Sequence, residues 1–96
     1  MGKKIEVSEI KDVSWREYRD FSAALREITP EESSVSLDEM RSLMLVAAIR
    51  AGWFVGTPAQ KEFSWEDLDG WTAKEVIIPA EKVAEYYELL RTPDPN

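Results

Sequence analysis

At 96 residues the chain is one domain with room for a single modest core, so a large surplus of apolar surface needs an outside partner. A hydrophobic fraction of 44% with four tryptophans excludes a disordered chain, and a net charge of -7 sets the protein against phosphate backbones and anionic membranes. With neither histidine nor cysteine, disulfide staples, thiolate zinc sites and the usual nucleophile–base pairs of catalysis are excluded.

Residues 1–13 read as an N-terminal arm or short strand. Ile5 and Val7 alternate with Lys4, Glu6 and Ser8, but one isolated strand has no obvious mate in the chain. No signal-peptide core follows Met1, and the longest apolar run, Leu43–Ile49, is far short of the roughly twenty residues of a membrane span. The expected compartment is the cytoplasm, or the host cytoplasm for a phage-encoded chain.

Ser14 opens the first helix, because Ser14-Trp15-Arg16-Glu17 has the form of a capping box. Trp15, Tyr18, Phe21, Leu25 and Ile28 then recur on one helical face, with Trp15 expected as a core anchor. Thr29-Pro30 stops the helix, since a residue before proline avoids helical angles. The connector that follows, with Thr29-Pro30-Glu31-Glu32, is able to start one further turn. A second capping box, Ser36-Leu37-Asp38-Glu39, opens a helix that runs to Ala51 and is capped by Gly52.

Leu43-Met44-Leu45-Val46-Ala47-Ala48-Ile49 is apolar at every position. Successive helical residues turn by about 100°, so this run points in every direction around its axis. The helix is therefore either wrapped by the rest of its own chain or completed by self-association or a partner protein. Trp53-Phe54 follows the glycine cap and precedes the turn Gly56-Thr57-Pro58. An aromatic pair in that position, together with the adaptable side chains Met40 and Met44 and with Leu45, gives five protein-contact candidates: Met40, Met44, Leu45, Trp53 and Phe54.

Ser64-Trp65-Glu66-Asp67 starts a short helical turn that Gly70 ends, and Trp71 is expected in the core. The fragment Asp67-Leu68-Asp69-Gly70 has part of the spacing of a calcium loop. The two positions that must carry carboxylates hold Trp65 and Val76, so no metal site is expected. Thr72-Ala73-Lys74-Glu75 is a further capping candidate. Val76-Ile77-Ile78 suits strand or helix, and Pro79 marks a kink or a fresh start. Val83, Tyr86, Tyr87 and Leu90 carry a last helix to Arg91, and residues 92–96 read as a frayed tail. The sum is a mainly all-α single small domain over residues 14–91, of four or five helices, with a short N-terminal strand or extended arm. No catalytic residue, cofactor or nucleic-acid partner is expected.

Three segments together resemble a known family. Val13-Ser14-Trp15-Arg16-Glu17-Tyr18 resembles the opening of the first helix in the tail assembly chaperones of long-tailed bacteriophages. Met44 to Ala51, leading into Trp53-Phe54, is similar to that family's apolar helix ending in an aromatic segment. Trp65 to Trp71 followed by Ala73-Lys74-Glu75-Val76 is similar to its acidic turn before the last helix. Pro79 departs from the pattern, in a stretch the family keeps helical. The resemblance implies a non-catalytic assembly factor that coats a tape-measure protein during tail assembly and forms homo-oligomers. The alternative function is an acidic inhibitor that blocks a basic site by mimicking nucleic acid.

Overall fold

The chain builds its helices from local capping signals and then winds them around one central element. The computed structural model describes residues 5, 7–30 and 35–91; the frayed tail and the extra turn at Glu31-Glu32 lie outside them. Helix α1 spans Trp15–Ile28, α2 spans Leu37–Ala51, a 3-10 helix spans Trp65–Gly70, and α3 spans Ala73–Arg91. A small all-α domain is the architecture observed.

Each start has its cap. Ser14 Oγ accepts from the Glu17 N–H, and the Glu17 carboxylate accepts from the Ser14 N–H, at 3.2 and 2.9 Å. Ser36 with Glu39, and Thr72 with Glu75, repeat the arrangement. At the 3-10 helix the Asp67 carboxylate accepts from both the amide and the hydroxyl of Ser64. Each box satisfies amides that the first turn leaves without carbonyl partners. At the other end of α1, Thr29 is extended ahead of Pro30, and its amide and hydroxyl both donate to the Leu25 carbonyl.

Helix α2 lies between α1 and α3, and the segment from Trp53 to Trp71 closes the remaining sides. All seven residues from Leu43 to Ile49 are buried. Of the two arrangements open to that run, the folded chain adopts the first and wraps it internally. Phe21, Trp53, Phe54, Phe63, Ala80 and Val83 complete the core around it.

The end of α2 sets the course of everything after it. Gly52 takes a left-handed φ of 75°, its amide bonds to the Ile49 carbonyl, and the Trp53 amide reaches back to Ala48 at 3.0 Å. This Schellman closure reverses the chain and folds Trp53 back over the helix it has just left. Gly52 is also tight: an added Cβ would stand 3.1 Å from the Ala59 backbone nitrogen.

Two expectations are corrected here. The N-terminal arm does find a mate, since Ile10 bridges antiparallel to Phe54. The Lys11 amide donates to the Trp53 carbonyl, and the Val55 amide to the Glu9 carbonyl, both at 2.9 Å. The bridge is isolated, and no longer strand forms among the described residues. Pro79, in turn, is no fresh start. Helix α3 runs through it from Ala73 to Arg91, and Val76-Ile77-Ile78 is helical. Proline has no amide to give Glu75. Its ring is buried, however, and Ala80 and Val83 beyond it bury against α2, so packing holds the helix across the gap.

Candidate protein-contact surface

The five contact candidates do not form the expected surface. Met44, Leu45, Trp53 and Phe54 are buried, and Met40 is half-buried. The physical reason is the glycine turn: a position between a cap and a turn suggests exposure, but the turn at Gly52 folds Trp53-Phe54 back under the helix. Trp53 stacks on Phe21 at a centroid distance of 4.2 Å, meets Tyr86 edge-on at 5.6 Å, and donates its indole N–H to the Glu17 carbonyl at 3.0 Å. These are core contacts with every polar need met, and any grip on a partner must come from other residues.

Trp15 is the converse case. Expected inside, it is 71% exposed. It is the first residue of α1, and the core begins further along the helix, at Phe21, which is fully buried. Trp15 stacks on Tyr18 at 5.8 Å, Tyr18 stacks on Tyr87 of α3 at 6.3 Å, and the Arg91 guanidinium lies over the Tyr87 ring at 5.4 Å. A continuous aromatic strip capped by a cation thus crosses from α1 to α3 at the surface.

The strip leads into a groove. Along α1, Tyr18, Ser22, Leu25 and Thr29 follow at spacings of four, three and four, one helical stripe. Ser22, Leu25 and Thr29 line a groove of about 860 Å³ together with Ala23, Met40 and Tyr87 and with the charged side chains Arg26 and Glu27. Met40 is therefore the one sequence candidate that reaches this surface. Sequence reasoning missed Trp15 as a surface residue, and Tyr18 and Tyr87 as only half-buried, because all three satisfy the apolar helical period, which does not say where along a helix the core stops.

A second, smaller groove of about 340 Å³ runs between the arm and α3. Ile5, Val7, Trp71, Ile78 and Pro79 form its apolar bed, and Ser8, Lys74, Glu75 and Lys82 complete its lining. The arm is pinned beside it through Glu17. The Lys11 ammonium, bonded to the Glu17 carboxylate, and the Ser14 amide hold the Glu17 carboxyl below the usual carboxylate range. Arg50 ties the opposite side, donating to the Phe63 carbonyl and to the Glu27 carboxylate.

Among the described residues no three acidic side chains come together in a group that could hold a metal ion, and no helix is long and apolar enough to cross a membrane. Comparison with family models, curated proteins and solved structures finds no match to this chain.

Proposed function

We propose that this chain is a non-catalytic protein-binding assembly factor, of the kind implied by its resemblance to phage tail assembly chaperones. The observation that carries the reading is the strip that runs from exposed Trp15 over half-buried Tyr18 and Tyr87 to exposed Arg91, on a chain whose core is already complete. Large aromatic rings and arginine are the side chains that most often anchor protein contacts. Among the described residues Trp15 stacks on Tyr18 alone, and it leaves most of its surface in water.

The strip adjoins, through Tyr87, the groove that Leu25 and Met40 also line, and this surface suits a helical segment with one apolar side laid lengthwise. A tape-measure protein is long, helical and apolar, and needs such cover until a tube closes around it. The net charge of -7 keeps a coat of such chains dispersed.

The reading requires the neighbouring genes to encode a tail tube protein and a very long helical protein. Co-expression of that long protein with the wild-type chain should keep it soluble. Co-expression with the Trp15→Ser, Tyr18→Ser double variant, its fold checked by circular dichroism, should let it precipitate. Equal solubility with both, or precipitation with both, rejects the proposal.

A further inference from the structure

The groove between the arm and α3 has walls of two kinds. The arm side carries Ile5 and Val7, from a non-helical stretch of chain, and the α3 side carries Lys74, Ile78 and Lys82. Along α3 these three follow at spacings of four, one stripe of the helix. They set a cation, an apolar side chain and a second cation at steps of about 6 Å, with the two lysines about 12 Å apart along the axis. Both lysines are exposed, and neither makes an ion pair with any described residue. The acid of the lining, Glu75, accepts from the Thr72 amide in its capping box. A chain of net charge -7 thus keeps two uncommitted cations beside an apolar bed.

These features select an occupant. Spread over that length of α3, a volume of about 340 Å³ gives a section of roughly 28 Å². This is room for one extended chain, since neighbouring strands lie about 4.8 Å apart, and too little for a helix about 10 Å across. An extended chain turns alternate residues to one side at steps of about 6.8 Å, close to the steps of the α3 stripe. A segment with acid, apolar and acid residues at alternate positions therefore sets its carboxylates against Lys74 and Lys82 and its apolar side chain on Ile78. A fatty acid, with one charged end, leaves one lysine unanswered, and a basic segment is repelled by both. We infer that this groove is a docking site for an extended acidic segment of a partner protein, of the pattern acid–x–apolar–x–acid. The site shares no residue with the aromatic strip, so the inference stands independently of the function proposed above.

Lysine–carboxylate pairs at an exposed rim are individually weak, so a short peptide should bind at millimolar concentration and lose affinity as salt is raised. Nuclear magnetic resonance of the isotope-labelled chain tests this with the acetylated, amidated peptide Ser-Glu-Thr-Leu-Thr-Glu-Ser. Saturable shifts are expected at the amides of Val7, Ile78 and Lys82. Glutamine in place of both peptide glutamates should weaken binding by about tenfold. Lys74→Glu and Lys82→Glu should each weaken it by about fivefold, and both sit on the exposed side of α3, where the fold does not depend on them. The double variant should release this peptide and bind its counterpart with lysines in place of the glutamates. Laurate below its micelle concentration should leave the three amides unmoved. An absence of saturable shifts at millimolar peptide overturns the inference. So does equal binding of the glutamine peptide, wild-type affinity in the double variant, failure of that variant to bind the lysine peptide, or laurate that moves the same amides at lower concentration than the peptide.

Discussion

Trp15 and Trp53 are the same side chain, each near the end of a helix, and they meet opposite fates. Trp53 is 0% exposed, while Trp15 is 71% exposed. Hydrophobicity cannot separate them. The direction of the chain does: the Schellman turn at Gly52 sends Trp53 back along α2 toward Phe21 and Tyr86, whereas the capping box at Ser14 leaves Trp15 beyond the outer limit of the core. An aromatic residue after a glycine cap is therefore a core candidate, and one at the first position of a helix is a surface candidate.

The sharpest test of that contrast is truncation. Trp53→Ala should destabilise the fold by about 3–5 kcal/mol in chemical denaturation, through lost burial and an unpaired Glu17 carbonyl. Trp15→Ala should stay within about 0.5 kcal/mol of wild type. Similar losses for the two would show that Trp15 packs inside the protein in solution.

The turn that buries Trp53 gives the next effect. Gly52→Ala forces a side chain into a left-handed conformation and against the Ala59 backbone, and should cost more than about 2 kcal/mol. Gly56 has a φ of 78° but nothing within 4 Å of its missing Cβ. Gly56→Ala should thus cost only the conformational part, about 1 kcal/mol. Equal melting shifts for the two glycine variants would remove the close approach of Ala59 from the account.

Removal of a cap should matter less. Ser36→Ala takes away the acceptor for the Glu39 amide and should lower stability by about 1 kcal/mol, read as a shift in the denaturation midpoint at unchanged slope. An unchanged midpoint would mean that tertiary packing alone sets the start of α2.

The smallest effect belongs to the arm. Lys11 and the Ser14 amide depress the Glu17 pKa in the folded state, so their stabilisation is present above the ordinary carboxylate range and lost as pH falls through the lower folded value. Glu17 is partly solvent-exposed, and the contribution should be below about 1 kcal/mol. Glu17→Gln should be slightly less stable than wild type at neutral pH and indistinguishable from it in acid. A difference that persists unchanged into acid would show that charge is not its source.

The helices were legible because their signals are local. Ser14-x-x-Glu17, Ser36-x-x-Glu39 and Thr72-x-x-Glu75 each satisfy amides within a single turn, and Thr29-Pro30 and Gly52 stop helices through their own backbone preferences. Leu43–Ile49, apolar in every direction, already required a helix covered on all sides. Whether that cover came from the same chain depended on where α1, α3 and the segment after Gly52 run, and those paths are set by contacts between residues far apart in sequence. The same holds for Pro79, which a local rule reads as a kink or a fresh start and burial against α2 carries through. The candidate surface was the least legible part, because apolar residues that cover a core and those left at the surface obey one periodicity, and only the tertiary structure places Trp15 beyond the core, Tyr18 at its edge and Trp53 within it.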